Sequence, residues 1–281
     1  MEHGKLYIVS TPIGNLEDIT LRALRTLKEV DVIAAEDTRR TVKLLNAYDI
    51  KKKLMSFHEY SSMSKLEEIL TLLKQGKNVA LVSDAGTPLI SDPGCFLVQR
   101  VYDAGLEVVA VPGPCAAIAA LTQSGMDTSS FLFLGFLPLK LSPRREVLNM
   151  LCRCPYTCII YESPHKLRKT LLELQKVLGG ARKIALLKEL TKVYEKRMFG
   201  PIDQVIEMMG QGEIKGEFIL VLEPCRANTK EEVSDQALME MLNDYIAQGC
   251  SKKDAVQKTG QQTGIGKNRI YDLANQLNKG A

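Results

Sequence analysis

No G-x-x-x-x-G-K-S/T phosphate loop occurs in this chain, and its nearest Gly-Lys, in GIGKN (264–268), lacks both the spacing and the hydroxyl residue. That argues against a Walker-type nucleotide site. A G-x-G-x-x-G turn after a strand is also missing, which argues against an ordinary Rossmann dinucleotide site. Long apolar runs are missing too. The most apolar stretch, FLFLGFLPL (131–139), is too short to cross a bilayer and is broken by Gly135 and Pro138, so no membrane span is expected. Nor is there a disulfide framework: the seven cysteines are an odd number, scattered at 95, 115, 152, 154, 158, 225 and 250. Charged Glu2 and Lys5, rather than a secretory leader, precede the strand-like LYIVS. A reducing, cytoplasmic setting is expected. The dense group CRCPYTC (152–158) has no second ligand pair nearby, so buried or incidental thiols are expected there and no metal. His58 and His165 are isolated in sequence, and spacing alone defines no Ser/His/Asp arrangement.

What is present is a chain of 281 residues, 45% hydrophobic, enough to bury a sizeable core in one large domain or two modest ones. Strand-like runs LYIVS (6–10), DVIAAED (31–37), VALVSD (79–84) and VVAVPG (108–113) alternate with amphipathic stretches such as DITLRALRTLKEV and KLEEILTLLKQGK. Strands ending in loops, with helices between, predict a largely parallel α/β sheet. A second set runs through FLFLGF (131–136), TCIIYES (157–163), KIALLKEL (183–190) and GEFILVLEP (216–224). Two α/β lobes joined around residues 113–130 are therefore expected, as domains 1–118 and 119–225. The polar, turn-rich RANTKEEVSD (226–235) reads as a linker to a helical domain over 234–281.

The basic excess belongs to the last part of that tail. Residues 251–281 hold six Lys or Arg against two Asp, a surplus of +4 that equals the net charge of the whole chain. LMEMLNDYIAQG, KKDAVQKTGQQTG and KNRIYDLANQL read as three helices, with Ser251 as N-cap of the second. Ile270, Leu273, Ala274 and Leu277 fall at helical core spacing in the third. Two short helices across a turn containing Gly264 and Gly266 resemble a helix-turn-helix. A small helical cap with solvated lysines is the other reading, and the localised charge favours nucleic acid over it.

The loops at the strand ends are STPIGNLED (10–18), AAEDTRRT (34–41), VSDAGTPLISDPG (82–94), VPGPCAA (111–117) and YESPHK (161–166). Ligands of open α/β sheets bind at such ends. Glycine and proline there let backbone groups approach a ligand with little side chain in the way, so recognition largely through main-chain groups is expected.

TPIGNLEDIT, AAEDTRRT, LVSDAGTPLISDPG, VPGPCAAIAAL, YESPHKL and KELTK, in this order across almost the whole chain, resemble the tetrapyrrole methylase superfamily. Relatives that form tetrapyrroles carry a G-D-P type loop where this chain has DAGTP, and the variant here is similar to the RNA-modifying branch. The resemblance implies a two-lobed, class III S-adenosylmethionine-dependent methyltransferase fold, with the helical domain appended. It implies methylation of the ribose 2′-hydroxyl of a cytidine in the decoding region of 16S ribosomal RNA, by a homodimer. It places the cofactor between the lobes, against Pro12, the Asp84–Pro88 segment with Gly86 and Thr87, the turn with Pro112, Gly113 and Ala116, and Tyr161–Ser163. Gly216 and Glu217 stand where the family closes the adenine pocket.

Methyl transfer from a sulfonium is an in-line displacement that needs alignment and exclusion of water, and in principle no metal. A ribose hydroxyl is a weak acid, so a positioned base or charged neighbour should help its proton leave. Candidates on the loops are Glu36, Asp37, Arg39, Asp84, Glu162, Lys188 and Glu189. Asp37 or Glu162 is expected to orient or deprotonate the hydroxyl, with Arg39 on an RNA phosphate. In the other reading an Asp37–Arg39 pair merely ties down its loop. A methyltransferase acting on a tetrapyrrole or other small acceptor, and a nucleotide-sensing RNA-binding protein without turnover, are the competing functions.

Overall fold

Runs of four apolar residues with no charge among them form the centre of the first sheet. VIAA of β2 (Val32–Ala35) and VALV of β4 (Val79–Val82) are buried at every position, as strands covered on both faces must be. With β1 (Lys5–Val9), β3 (Lys53–Ser56) and β5 (Glu107–Val111) they make an all-parallel sheet in the order β3-β2-β4-β1-β5. The chain is described by a computed structural model over residues 3–58, 63–92, 94–225, 234–263 and 265–276.

Period-two alternation sends successive side chains to opposite faces. Leu6 and Ile8 of β1 pack with Leu66, Ile69 and Leu73 of α3 (Met63–Lys74) and with Leu97 and Val101 of α4 (Cys95–Asp103). Val9 packs on the other face with Ala23 and Leu27 of α1 (Leu21–Glu29) and Leu45 of α2 (Thr38–Ala47). The chain leaves β1 toward β2 and β3, and leaves β4 toward β5, with α1 and α4 on opposite faces. The carboxyl ends of β1 and β4 thus form a topological switch point, where open α/β sheets bind ligands.

The second sheet has the order β6-β7-β10-β8-β9. Its strands are β6 (Phe131–Phe136), β7 (Thr157–Glu162), β8 (Lys183–Lys188), β9 (Lys196–Pro201) and β10 (Phe218–Leu222). Only β6 and β7 pair in parallel; β10 is antiparallel to both β7 and β8, and β8 to β9. The expected parallel sheet therefore describes the first lobe and not the second. The reason is local, since residues 189–195 return the chain directly as a hairpin, without the helical crossover that a parallel pair requires. Strands β3 and β9 escaped the sequence reading because they are short edge strands, KLMS and KRMFGP, exposed over much of their length and without an apolar run.

The helix α5 (Ala116–Ser124), following β5, lies on one face of the second sheet: Ala117, Ala120 and Leu121 pack on Ile159, Ala185, Leu187, Ile219 and Val221. Its small side chains allow close approach. The other face is covered by α6 (Leu141–Arg153), α7 (Pro164–Leu178) and α8 (Ile202–Met209), through Leu148, Leu151, Leu167, Leu171, Leu174 and Val205.

Chain contacts divide the molecule into Met1–Cys225, which holds both sheets, and Arg226–Ala281. The second unit has α9 (Asp235–Ala247), α10 (Lys252–Thr263) and α11 (Lys267–Gln276) around Leu238, Leu242, Ala255, Val256, Ile270, Leu273 and Ala274. Ser251 caps α10 by accepting from the Asp254 N–H at 3.2 Å, while its own hydroxyl donates to the Asp254 carboxylate at 2.6 Å. Gly264, Leu277, Lys279 and the linker residues 226–233 lie outside the described residues. No helix among the described residues is long and apolar enough to cross a membrane.

Leu220, fully buried at the centre of β10, tests the second core. Leu220→Ala should lower stability by roughly 2–5 kcal/mol in urea unfolding, from lost transfer energy plus the residual cavity; a change below about 0.5 kcal/mol would contradict this packing.

Candidate active site

Two loops are locked together where β1 and β4 end. Thr11 and Gly86 exchange both backbone hydrogen bonds, Thr11 N–H to Gly86 O at 2.9 Å and Gly86 N–H to Thr11 O at 3.0 Å. Gly86 has φ +82°, a left-handed value that glycine adopts without penalty. The Thr87 hydroxyl donates to the Pro114 carbonyl at 2.9 Å, so in its 3.0 Å contact with Ser10 the serine is the donor. The third loop closes on the first at Gly113, where a Cβ would stand 2.9 Å from that of Ser10. Pro12, Pro112, Gly113 and Asp84 lie on or beside these loops but are not among the residues lining the cavity that the loops help to enclose.

That cavity, about 340 Å³, lies between the two lobes of the first unit. The first lobe contributes Ile13, Ala85–Thr87, Ile90–Asp92, Cys115 and Ala116, and the second contributes Phe136, Tyr161–Pro164 and Glu217–Ile219. Gly86, Thr87, Ala116, Tyr161, Glu162 and Glu217 are therefore brought together as the sequence reading expected. Tyr161 packs edge-on against Phe133 and Phe136, with ring centroids 5.0 and 5.7 Å away. Burial pushes its phenol up, which keeps it neutral. Apolar walls for a flat ring system, and glycine turns where a Cβ would crowd Ile13 at Gly86 and Ser10 at Gly113, suit the adenosyl ligand implied by the resemblance.

On the second-lobe side, a chain of polar side chains is buried behind the cavity. Glu162, 4% exposed, accepts from the Ser163 N–H at 2.8 Å and from the Thr170 hydroxyl at 2.5 Å. Thr170 in turn accepts from Arg144 at 2.8 Å, and Arg144 pairs with Glu173 at 2.6 Å. Each carboxylate oxygen of Glu162 already has a protein donor. Near the cavity rim, Glu189 accepts from the Glu217 N–H at 2.8 Å, and Lys192 bridges Glu189 and Glu217 at 3.0 and 2.9 Å. Gly216, at φ +104°, makes this possible, because a Cβ there would sit 2.8 Å from the Glu189 side chain. Lys188 lies with its ammonium 5.8 Å from the Phe218 ring centroid.

Asp37 is not among the residues lining the cavity. It caps α2, and its carboxylate accepts from the Arg39 N–H at 2.9 Å and from the guanidinium at 3.0 and 2.8 Å. That clamp lowers its pKa to about 2. The Asp37 N–H donates to Asp84 at 3.1 Å, and Asp84 also pairs with Arg40 at 3.2 Å. An acid held so low is a poor proton acceptor near neutrality, so the geometry argues against Asp37 as the base, while the Arg39 side chain stays exposed.

The residue that sequence reasoning missed is Asp92. It lines the cavity, and burial raises its pKa to about 6. The stretch VSDAGTPLISDPG contains both Asp84 and Asp92, and nothing in its spacing says which of them faces inward. In the cysteine group, Cys154 and Cys158 are buried with sulfurs 3.4 Å apart, and burial pushes the Cys158 thiol up to about 12. An inert thiol follows.

A family model for tetrapyrrole (corrin/porphyrin) methylases matches residues 5–206. Ribosomal RNA small subunit methyltransferase I of Halalkalibacterium halodurans is 43% identical over 98% of this chain and 96% of its own length. The protein of that name from Bacillus subtilis is 44% identical over 96% of this chain and 93% of its own. Among solved structures, a uroporphyrin-III C-methyltransferase of Thermus thermophilus complexed with S-adenyl homocysteine shares the fold, with a TM-score of 0.56 and 20% identity over 78% of this chain and 97% of its own. A cobalt precorrin-4 methyltransferase does so with a TM-score of 0.58 and 17% identity over 78% of this chain and 94% of its own.

The clamp on Asp37 can be read by carboxyl NMR. A depressed folded pKa contributes stability above the unfolded value near 3.8 that is lost as pH falls through about 2. Asp37 should stay ionised down to about that pH, and Arg39→Ala should return it toward its ordinary value; an unchanged titration would show that Arg39 is not the cause.

Proposed function

Because the chain belongs to the tetrapyrrole methylase family and, within it, to the ribosomal RNA small subunit methyltransferase I group, we propose that it is an S-adenosylmethionine-dependent enzyme methylating the ribose 2′-hydroxyl of a cytidine in the decoding region of 16S ribosomal RNA. The observation that carries this reading is convergence: loops more than a hundred residues apart in sequence, each holding a motif of the family, line one cavity at the switch point.

When bound, the donor supplies an electrophilic methyl group. The chain's own task is to hold donor and acceptor in line and keep water out, which can contribute several kcal/mol toward the barrier. Gly86, Thr87 and Ala116 hold the donor through main-chain groups, and Tyr161 and Glu217 bound it from the second lobe. Pro12, Asp84, Pro112 and Gly113, on the same loops, complete the donor site, with Asp84 and Gly113 also tying the loops together. Arg39, whose side chain is 87% exposed, takes an RNA phosphate, with Asp37 fixing its direction. Glu162 holds the Ser163 turn against the acceptor side of the cavity.

The two α/β lobes, 1–118 and 119–225, close on the donor, and the helical domain from residue 234 binds RNA. Lys252, Lys253, Lys258 and Lys267 supply the basic side chains of its last two helices, while Arg269 pairs with Asp235. The enzyme works in the cytoplasm as a homodimer; Phe136, Leu139 and Leu141, at 58, 74 and 74% exposure, offer apolar surface for a second copy.

Radiolabelled methyl should pass to small ribosomal subunits from cells lacking this protein, with label on a ribose 2′-oxygen by mass spectrometry of the nucleosides. Donor binding without label on RNA would overturn the reading in favour of a small acceptor or a sensor. Deletion of residues 234–281 should cut RNA labelling at least tenfold and leave donor affinity within a few fold; full activity would remove the tail from recognition. Arg39→Ala should weaken RNA binding and reduce the slope of affinity against salt by about one phosphate.

A further inference from the structure

The loop between β4 and α4 holds an unusual backbone. Leu89 and Ser91 have φ +76° and +65°, left-handed values that side chains bearing a Cβ rarely adopt. Packing holds them there. A Cβ on Gly94 would lie 2.6 Å from the Leu89 side chain, and one on Gly135, at the bulge of β6, 2.9 Å from the Ser91 hydroxyl. Leu89 is thus anchored in the first lobe's core while Ser91 reaches the second lobe's sheet. Strain maintained in this way at a cavity wall marks a residue being aimed, and the next residue is Asp92, which lines the cavity.

We propose that Asp92 is the proton acceptor for the ribose hydroxyl in methyl transfer. The assignment rests on the proposed function of the cavity. As the new oxygen–carbon bond forms, the sulfonium sulfur keeps the electron pair of the broken carbon–sulfur bond, and the hydroxyl proton passes to the Asp92 carboxylate and then to water. The other carboxylates are less suited. Asp37 is clamped by Arg39, Asp84 pairs with Arg40, and Glu162 spends both oxygens on Ser163 and Thr170. Glu217, on the cavity rim, is tied to Lys192.

The surroundings tune the group. Burial is the largest influence, raising its pKa to about 6; a Ser83 hydrogen bond opposes this, and the charges of Glu36 and Asp84 add to it. Tyr161 and Cys115 face the same cavity. A base of this strength is ionised at neutral pH yet binds a proton far better than an ordinary carboxylate, which is what proton removal from a weak acid asks for. The sign for stability is opposite to that for activity. A raised folded pKa favours the protonated fold, so stability falls as pH rises through about 6.

Asp92→Asn should lower the transfer rate at saturating RNA and donor by roughly 10²–10⁴-fold. Donor affinity by calorimetry should stay within about threefold. The wild-type rate should fall on the acid side with an apparent pKa of about 6, and this limb should vanish in the variant. The variant should also melt higher than wild type at pH 8 and equally at pH 3. A variant that transfers methyl at the wild-type rate, or that loses donor affinity in step with activity, overturns the assignment while leaving the function intact. If the variant does not fold, carboxyl NMR of the intact wild-type chain decides: titration of Asp92 near 6 supports the proposal and titration near 3.8 overturns it. Failure of the wild type itself to label RNA overturns the function, and this assignment with it.

Discussion

The reciprocal pair of backbone hydrogen bonds between Thr11 and Gly86 is the contact on which the rest of the site depends. Parallel strands β1 and β4 deliver their loops side by side, and without a tie two short loops would splay into solvent. By using the N–H and C=O of both residues, the bridge fixes the loops relative to each other with no side chain involved. Serine and threonine hydroxyls then extend the tie to the third loop, from Ser10 to Thr87 to the Pro114 carbonyl. The wall so formed is small, rigid and rich in main-chain groups, which is how a site can recognise a ligand through amides and carbonyls.

The second lobe solves a different problem. Its side of the cavity carries the glutamate and tyrosine side chains, and buried polar groups must be satisfied or they destabilise the fold. The run from Glu162 through Thr170 and Arg144 to Glu173 does this, each link within 2.5–2.8 Å. Truncating one member would strand the others in a low-dielectric interior, so the network acts as a unit. α5, with its small residues, carries the chain from the first wall to the second sheet, so that the two halves of the cavity share one rigid connection.

Much of the fold was legible. Eight of the strand runs are continuous or alternating apolar segments, and the central ones, such as β2, β4 and β10, are buried at every position as that pattern predicts. The edge strands β3 and β9 were not legible, because KLMS and KRMFGP, unlike the edge strands β5 and β6, carry no apolar run and their pairing is decided by their neighbours. The direction of β10 was equally hidden, since periodicity is the same for parallel and antiparallel strands. Within the site, Gly86, Thr87, Ala116, Tyr161, Glu162 and Glu217 were named from motifs and line the cavity, whereas Pro12, Asp84, Pro112 and Gly113 were named from the same motifs and are not among its lining.

By itself the sequence determined two α/β sets, a basic helical tail, and a family whose motifs mark the loops that meet, because hydrophobic period and turn chemistry are local properties. Which of several carboxylates faces the cavity was decided only by tertiary structure. Asp37 turns back to its own helix and is held by Arg39, while Asp92 is aimed inward by the left-handed backbone at Leu89 and Ser91. Its proton affinity is set first by burial, and then by Ser83 and Asp84 of its own loop and Glu36 of another, none of which can be read from its immediate neighbours along the chain. Electrostatics and burial are sums over space, and the sequence orders residues along one dimension only.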